Sequence, residues 1–563
     1  MSDQILRTTT AGTDPALFSD NLFFASNRNV ALVILTLFLA LGFVLRTHDL
    51  GVESLGEDEL NKLQTVEEYR RDGLSGKNGE HPFLMKGLQT VSVVSSEKIN
   101  EFIELPQFTI SEEAALRFPI ALFGTFTALL IFLLVSELFG MSIGLVSAIF
   151  WAIEPTAIAF DRIAKEDSLV LFFFILTSLF WVKAQTAAEN GISAWPQYMW
   201  AAAVSFGALM ASKYYPHLLA ITQSYYASFQ GIPATKWRLG KWRFLLFFVI
   251  MGVAFLLLNP TILLPDTWSA MLKFSTENRI AHDSYEFMGT LYQNKMSAWL
   301  AGVPWTFYYV FIAVKTSVPI LVLFFIGLPM MFKRRMGDGR FFIFFWAFLW
   351  FMPFTFLGGK FTRYFAMAEP LILIVAAVGF CFLAKWISEK LFARSLAASL
   401  VQVISLAAVI GFPLSNSFSV GPHFRLFTNN IGGGVAAAGS YFPHDEFYDT
   451  STGEIVANIA SRAKPGAVVA SETPELFDHY ADKIGREDLI FFSLSDKAKV
   501  ATLTVGDYVV LVKGRRYFSN SAYFDYLRDY ASPTKTVNIL GVTSASIYQL
   551  DGNTLAGVQA LAK

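Results

Sequence analysis

The sequence has very little of two residue classes that soluble and secreted proteins use freely. Only one of its 563 residues is cysteine, Cys381, and only 16% are charged. A single cysteine excludes a disulfide within the chain, and soluble chains usually carry about 25% charged residues. The net charge of -1 gives no bulk field that favours nucleic acid as a partner. We therefore expect neither a fold stabilised by disulfide bonds nor a nucleic-acid-binding protein.

The chain is instead rich in apolar sequence. Hydrophobic residues make up 54% of it, Phe alone occurs 56 times, and the mean hydropathy is +0.46. Runs of about 17–25 mostly apolar residues can span a bilayer. We predict a mainly α, polytopic membrane protein with about 11 transmembrane helices. The predicted spans lie at 30–46, 117–139, 142–159, 168–184, 197–212, 214–230, 243–263, 318–333, 340–358, 365–385 and 395–414.

Two of these spans leave alternatives open. The first follows Arg28 and precedes no small-residue cleavage site, which favours a retained span over a cleaved signal. Lys213 interrupts the stretch 197–230, which is therefore either one broken hairpin or two short spans.

Basic connections between spans predict the orientation. Lys and Arg concentrate in short cytoplasmic loops, and 236–243, 333–340 and 385–394 are the basic connections here. With eleven spans and a cytoplasmic N-terminal segment 1–29, all three fall on the cytoplasmic side. The membrane domain is then 30–415, and its two long loops, 47–116 and 264–317, lie outside together with the C-terminal tail.

The outer segments have patterns of their own. Residues 58–73 and 81–103 show amphipathic helical spacing, which predicts two helices along the membrane surface. Short strand and helix patterns alternate in 440–563, which predicts a small soluble α/β domain without a nucleotide-binding glycine loop. The aromatic stretch 305–311 either lines a lipid or sugar groove or forms an interfacial aromatic belt.

Charged residues gather at the outer ends of the spans. Glu57, Asp58 and Glu59 directly follow the first span; acids of this kind either cap a helix or supply a carboxylate for proton abstraction. The stretches 81–86 and 161–167 and the residues Lys213, Lys360 and Arg363 lie on the same predicted side. Charges at membrane depth cost about 2.5–3.5 kcal/mol each, so such residues usually face a cavity or a partner. A lipid phosphate is the simplest anion for the basic residues of this set, which are Lys86, Arg162, Lys213, Lys360 and Arg363.

Six stretches occur in an order that resembles the superfamily of protein O-mannosyltransferases and aminoarabinose transferases. They are "DE" (58–59), "HPFLMK" (81–86), "RFPIALFG" (117–124), "RIAKED" (162–167), "SKYYPHL" (212–218) and "GGKFTRYFAMAEPLILI" (358–374). The resemblance covers about residues 30–385. Phe83 and Met85 depart from the family's H-P-P-L-G-K form, and the chain lacks a β-trefoil insert, so the acceptor is not implied by the eukaryotic members.

The resemblance implies a GT-C fold and an inverting transfer of sugar from a polyprenyl-phosphate donor to an acceptor hydroxyl. Asp58 would be the catalytic base, while Glu59 and Asp167 would hold the acceptor or a basic neighbour. The five basic residues would bind the donor phosphate, and His81 and His282 are weaker substrate-binding candidates. Glu57 has no counterpart in the motif and is predicted to be a solvated neighbour.

The same resemblance implies the partners and the location. The donor is a polyprenyl-phosphate-linked sugar, the acceptor is a protein, glycan or lipid, and no nucleic acid is involved. The chemistry requires no cofactor; a divalent metal is compatible with the acids but is not indicated by any ligand spacing. The expected location is the bacterial inner membrane, with the site and the 440–563 domain on the periplasmic side.

Two other functions compete with transfer. A transporter or flippase for lipid-linked sugar would also need basic residues and a cavity, but it would more often show inverted repeats and broken helices in both halves. A non-catalytic scaffold that displays 440–563 would leave the acids and bases at the span ends unexplained.

Overall fold

The structure is a computed structural model that describes residues 22–103, 105–230, 241–276, 282–392 and 396–563. Most of the N-terminal segment 1–29 and of the basic connection 236–243 lies outside these residues. The chain is mainly helical, with a two-stranded sheet in the loop 264–317 and a five-stranded sheet in the C-terminal part.

Apolar helices form the body of the protein. Six of the described helices are long and apolar enough to cross a membrane: Arg28–Thr47, Glu112–Phe139, Asp167–Glu189, Gly339–Phe356, Glu369–Lys390 and Ala397–Val420. Three apolar helices are shorter: Met141–Ile153, Trp242–Leu258 and Val318–Met331. The prediction of a polytopic, mainly α membrane protein is therefore confirmed.

Polar residues and prolines explain why fewer helices are full-length than the eleven runs suggest. The run 142–159 is helical only to Ile153, because Glu154 and Pro155 interrupt it before the short helix Pro155–Phe160. At Lys213 the backbone is extended, so 197–230 forms the separate helices Trp195–Ser212 and Leu219–Tyr225, with a π-helix at Tyr226–Gln230.

Glycines allow two of the helices to pack with their backbones in near contact. A Cβ on Gly327 would lie 1.9 Å from the carbonyl oxygen of Val375, and one on Gly379 would lie 2.1 Å from that of Leu323. Small residues at such crossings strengthen dispersion contacts where lipid removes the hydrophobic driving force. This crossing joins helix Val318–Met331 to helix Glu369–Phe392.

The outer loop 47–116 contains the two expected amphipathic helices, Glu57–Asp72 and Phe83–Asn100. Their apolar faces pack on the protein itself: Leu63 and Met85 share a buried cluster with Leu116 of the helix Glu112–Phe139. The acids in the first turn of Glu57–Asp72 complement the positive end of the helix dipole. The loop thus folds beside the N-terminal end of helix Glu112–Phe139, and we call it the outer platform after its predicted side.

The outer loop 264–317 has structure that the sequence pattern did not predict. Strands β1 (Ser284–Phe287) and β2 (Thr290–Gln293) form an antiparallel hairpin between helices Pro265–Thr276 and Phe307–Lys315. In the aromatic stretch 305–311, Phe307, Tyr308 and Phe311 are buried in the main core, while Trp305 and Tyr309 are exposed. The stretch is therefore mostly core, with two aromatic side chains left on the outside.

The C-terminal part is an α/β domain around a five-stranded sheet. Its strands are β3 (Val468–Ala470), β4 (Ile490–Phe492), β5 (Tyr508–Val512), β6 (Lys535–Ile539) and β7 (Val542–Gln549). The strand order is β4-β3-β5-β7-β6, with β3 parallel to β4 and β5 and the other pairs antiparallel. Its helices are Thr452–Ala460, Pro474–Lys483, Lys497–Val500, Ser521–Tyr530 and Gly552–Ala562.

A connecting segment joins the membrane helices to this domain. It contains the 3-10 helices Phe424–Leu426, Asn430–Gly432 and Val435–Ala437 and the short helix Pro443–Phe447. The domain also contacts the outer platform directly, since Lys483 pairs with Glu112 at 2.7 Å and the Tyr480 hydroxyl donates to Glu113 at 3.0 Å. The α/β domain is therefore seated on the N-terminal end of helix Glu112–Phe139.

Candidate functional site

One oxygen of the Asp58 carboxylate is the meeting point of three elements. Asp58 lies in the first turn of helix Glu57–Asp72, and its Oδ2 accepts a hydrogen bond from the Tyr448 hydroxyl at 2.9 Å. The same oxygen pairs with Lys165 and lies 3.6 Å from Nη1 of Arg363. Its Oδ1 has no hydrogen-bond partner among the described residues, and the side chain is 38% exposed.

The charges around Asp58 set its protonation. Burial by itself would raise the pKa of the Asp58 carboxyl, but Lys165 and Arg363 outweigh it and hold that pKa well below its usual range. Asp58 is therefore a carboxylate with one oxygen engaged and one free.

A cavity lies beside this carboxylate and is bounded by the partners of Asp58. Its polar side is formed by residues from the region 156–167, from the end of helix Phe307–Lys315, from the 3-10 helix Thr362–Met367 and from the connecting segment. They are Thr156, Lys165, Asp167, Lys315, Thr362, Arg363, Arg425, Asp445, Glu446 and Tyr448. The opposite side is apolar and mostly aromatic: Ala159, Phe160, Ile163, Phe311, Phe424 and Phe427. The cavity thus combines a charged wall with an aromatic one.

Arg363 is the cation in this wall with the most free donors. Its guanidinium lies over the ring of Phe361 at 4.4 Å, and it makes no hydrogen bond to another described residue. Lys315 and Arg425, by contrast, are already paired, with Glu446 and Glu53 respectively. Arg363 is therefore the cation best able to accept an anionic ligand.

Asp167 lines the cavity and brings Lys213 close to it. The Lys213 ammonium donates to Asp167 Oδ1 at 2.8 Å and lies over the rings of Tyr215 and Tyr364. Burial alone would lower the pKa of Lys213, but Asp167 raises it well above its usual value. Of the predicted site residues, Asp167 and Arg363 line the cavity, and Lys213 lies behind Asp167. Asp58 is not in the lining itself but contacts the lining residues Lys165, Arg363 and Tyr448.

Glu59 lies next to Asp58 in sequence but has a different environment. Its two oxygens accept from Arg117 at 2.8 and 2.6 Å, and they also accept the backbone N–H groups of Ala164 and Gly56. Glu59 is buried and does not line the cavity. Glu59 therefore links the outer platform to helix Glu112–Phe139. Because its oxygens are occupied by these partners, it is not free to hold an acceptor.

Three of the five predicted phosphate-binding residues direct their cations at backbone carbonyls instead of the cavity. The Lys86 ammonium donates to the carbonyls of Asn78 at 2.8 Å and His81 at 2.9 Å. Arg162 donates to the carbonyls of Leu45, Arg46, His48 and Asp49. Lys360 donates to those of Val303 and Leu357. Because these carbonyls satisfy the donors, the structure places Lys86, Arg162 and Lys360 in the scaffold around the site.

The two predicted histidines and Glu57 also lie outside the cavity lining. His81 Nδ1 is 3.3 Å from Glu166, which also pairs with Lys62 at 2.5 Å. His282 stacks on Tyr517 and is 3.2 Å from the Glu57 carboxylate. Glu57 also pairs with Arg515 at 3.0 Å, so the prediction that it is merely a solvated neighbour is wrong.

Several residues of the site were missed in the sequence. Lys165 lies within the motif 162–167, in which the predicted site residues are only Arg162 and Asp167. Asp445, Glu446 and Tyr448 come from "PHDEFYD" (443–449), where acids cluster just before the α/β domain. That cluster was the available signal, whereas nothing in the sequence links it to Asp58.

The site shows no pattern typical of a metal centre. Within the described ranges, no group of three or more His, Cys, Asp or Glu residues is arranged to hold a metal ion. The chemistry available to these residues is proton transfer at Asp58 and electrostatic binding of an anion at Lys165 and Arg363.

Comparisons with known proteins agree with this architecture. Residues 107–263 match the family model for dolichyl-phosphate-mannose-protein mannosyltransferase. None of the curated proteins searched matches the sequence.

Solved structures match over most of the chain at low identity. The Archaeoglobus fulgidus oligosaccharyltransferase tethered with an acceptor peptide is 12% identical with a TM-score of 0.50, over 86% of this chain and 69% of that one. ArnT from Cupriavidus metallidurans in the apo state is 13% identical with a TM-score of 0.49, over 95% of this chain and 100% of that one.

These findings confirm the resemblance seen in the motifs. The protein is an integral membrane protein with the GT-C fold of the oligosaccharyltransferase, and its residues 107–263 have the sequence features of the dolichyl-phosphate-mannose-protein mannosyltransferase family.

Proposed function

We propose that this protein is an inverting membrane glycosyltransferase, which moves a sugar from a polyprenyl-phosphate donor to a hydroxyl of a protein, glycan or lipid acceptor. The single observation that carries the proposal is the Asp58 carboxylate, with one oxygen held by Lys165, Arg363 and Tyr448, three residues that line the cavity, and the other oxygen without a hydrogen-bond partner among the described residues. The family matched by residues 107–263 supports the donor class.

Asp58 acts as the general base in this proposal. Its Oδ1 takes the proton of the acceptor hydroxyl while that oxygen bonds to the anomeric carbon of the sugar. The bond from the anomeric carbon to the phosphate oxygen breaks on the opposite side, and the electron pair leaves with the polyprenyl phosphate. A single displacement of this kind inverts the anomeric centre, and the phosphate needs no strong acid to leave.

Lys165 and Arg363 connect donor binding with the strength of the base. While both cations face Asp58, its low pKa makes it a weak base. A donor phosphate attracts the same two cations and shares their charge, so its arrival raises the basicity of Asp58. The cations also stabilise the charge that develops on the leaving phosphate. The aromatic wall, with Phe160 and Phe311, would contact the first prenyl units.

The positions of the basic connections support a site on the extracytoplasmic face. Helix Val318–Met331 begins just after the cavity residue Lys315 and ends at the basic connection 333–340. Helix Gly339–Phe356 returns from that connection toward Arg363. Basic loops stay cytoplasmic, so the cavity end of both helices would face outward. We propose the bacterial inner membrane, with the site on the periplasmic side.

The test follows the release of polyprenyl phosphate by the purified protein from a polyprenyl-phosphate-linked sugar. Asp58→Asn should lower the rate by about 10²- to 10⁴-fold, the contribution of a general base, while sugar-free polyprenyl phosphate still binds. Asp72→Asn is the matched control, because Asp72 ends the same helix and, among the described residues, pairs only with its exposed neighbour Arg71. Normal turnover by Asp58→Asn contradicts the assignment, and movement of the lipid without release indicates a transporter.

A further inference from the structure

The segment that joins the membrane helices to the α/β domain makes an unusual turn beside Asp58. Helix Pro443–Phe447 ends at Tyr448, and Tyr448 and Asp449 both have positive φ, 41° and 62°. Residues other than glycine rarely adopt this left-handed region, and consecutive examples persist only where the surroundings hold them. Strained backbone of this kind clusters at functional sites.

The turn places the Tyr448 ring directly on the backbone that precedes Asp58. A Cβ on Gly56 would lie 2.1 Å from Cε1 of Tyr448, so the absence of a side chain at Gly56 makes room for the ring. From this position the Tyr448 hydroxyl donates to Asp58 Oδ2 at 2.9 Å. Because the hydroxyl binds Oδ2, it leaves Oδ1 as the free oxygen.

Arg515 of the α/β domain holds the turn in place. Its Nε donates to Asp449 Oδ1 at 2.8 Å, its Nη2 pairs with Asp449 Oδ2, and its Nη1 donates to Glu57 at 3.0 Å. Asp449 in turn accepts the backbone N–H of Glu57. Arg515 is only 2% exposed, and it therefore joins the left-handed turn to the first turn of helix Glu57–Asp72 from inside the protein.

We propose that Tyr448 is a positioning residue that orients the Asp58 carboxylate. Arg515 holds the turn that carries Tyr448, and through it the α/β domain contributes to the active site. This inference rests on the proposed function, in which Asp58 Oδ1 accepts the proton. The charged groups that face Asp58 are Lys165 and Arg363, with Glu57 beside it in the same helical turn. Tyr448 is the one neutral donor among its direct partners in the described chain.

The decisive measurement is the pH profile of polyprenyl phosphate release by Tyr448→Phe. The variant keeps the ring and loses the hydrogen bond to the ionised carboxylate, so kcat should fall about tenfold, as for loss of a bond to a charged group. The acid limb of kcat/KM should also move to higher pH, because the carboxylate has lost a donor. A fall by the same factor at every pH would mean a purely structural role and would overturn the proposal.

Arg515→Gln and Arg516→Gln form a matched pair for the domain. Arg515→Gln should move the acid limb of kcat/KM in the same direction as Tyr448→Phe, because the turn loses the ion pair between Arg515 and Asp449 that holds it in place. Arg516 is adjacent but pairs with Glu286 and Asp525, away from the turn, so Arg516→Gln should behave as wild type. Equal effects of the two substitutions would show that the domain acts only through stability.

A second readout does not depend on turnover. Infrared difference spectra of wild type against Asp58→Asn isolate the Asp58 carboxyl, whose protonation is then titrated with and without the Tyr448 hydroxyl. If no lipid-linked sugar is turned over but Tyr448→Phe raises the titration midpoint of Asp58, the proposed function is wrong while the positioning of Asp58 by the Tyr448 hydroxyl is supported. An unchanged midpoint overturns the positioning role whatever the enzyme does.

Discussion

Arg363 Nη1 lies 3.6 Å from Asp58 Oδ2, which is too long for a hydrogen bond and short enough for electrostatic attraction in a partly buried site. The guanidinium is thus held near the carboxylate by charge while its N–H donors stay unused by other described residues. Lys165 makes the closer contact with the same oxygen. This arrangement leaves Arg363 as the cation that an incoming phosphate meets with its donors free.

Arg363 and Lys86 were both predicted to bind the donor phosphate, and the structure separates them. Arg363→Met should weaken the binding of sugar-free polyprenyl phosphate by about 10- to 100-fold, because it removes charged hydrogen bonds to the ligand. Lys86→Met should leave that affinity unchanged and lower the unfolding temperature, because the part-buried carbonyls of Asn78 and His81 lose the hydrogen bonds from the Lys86 ammonium. Lipid titration and thermal unfolding of both variants in detergent measure the two effects.

The opposite pattern would restore the assignment made from the sequence. Lipid binding that fails in Lys86→Met while its folding is intact would show that the ammonium leaves its carbonyls for the phosphate. Burial lowers the pKa of Lys86 to about 7, so the binding should then weaken as the pH rises through that value. If Arg363 binds the phosphate instead, the affinity should not follow the Lys86 titration.

The helices could be predicted because the length of an apolar run reports directly on burial in a bilayer. Run length did not reveal the break at Glu154–Pro155. The charge of Lys213 did indicate the interruption of 197–230, where the backbone is extended. The tail was predicted only as alternating short strands and helices, and the pattern did not show that β6 and β7 form a hairpin that turns at Leu540 and Gly541, which both have positive φ. Local turn chemistry was the missing information there.

The site was predictable only in part, because the sequence shows which side chains are charged but not which partners they bind in the folded protein. Asp58 stood out as an acid beside a span. The donors of Lys86 and Arg162 are taken by backbone carbonyls, which have no sequence signature. Tyr448 is 390 residues from Asp58, and Arg515 is 458 from Glu57, so no spacing rule connects them.

The buried pair of Glu59 and Arg117 should govern the stability of the outer platform. Glu59→Gln leaves the guanidinium without its counter-charge, and breaking one side of a buried ion pair costs about 3–5 kcal/mol. Arg117→Met should cost more, because Arg117 also donates to the carbonyls of Leu50, Glu53 and Ser54. Thermal unfolding of the two single variants gives the comparison, and equal losses would contradict this account.

The same pair predicts a dependence of stability on pH. Burial alone would raise the pKa of Glu59, but Arg117 and two backbone N–H groups outweigh it and lower that pKa below its usual value. A carboxyl whose pKa is lower in the folded state contributes stability above its unfolded pKa of about 4.3 and loses it as the pH falls through the folded value. The gap in unfolding temperature between wild type and Glu59→Gln should therefore shrink below about pH 4. A gap that stays constant would show that the pair is held by shape alone.

Gly56→Ala tests whether the Tyr448 ring must lie on the backbone before Asp58. Gly56 has φ -82°, which any residue adopts, so the substitution acts through the space occupied by the new methyl group and not through backbone strain. That methyl would lie 2.1 Å from the Tyr448 ring and must displace it. We expect release of polyprenyl phosphate to fall about tenfold, the loss expected for Tyr448→Phe.

Two comparisons make this prediction specific. Gly411→Ala is the matched control, because a Cβ there meets nothing within 4 Å and the residue lies inside helix Leu396–Val420, so turnover should be unchanged. The double variant Gly56→Ala/Tyr448→Phe should be no slower than either single variant, since both substitutions remove the same hydrogen bond and residues in contact are not additive. Additive losses would mean that Gly56 acts on the reaction by a route that does not pass through the Tyr448 hydroxyl, and the link between the strained turn and Asp58 would then be wrong.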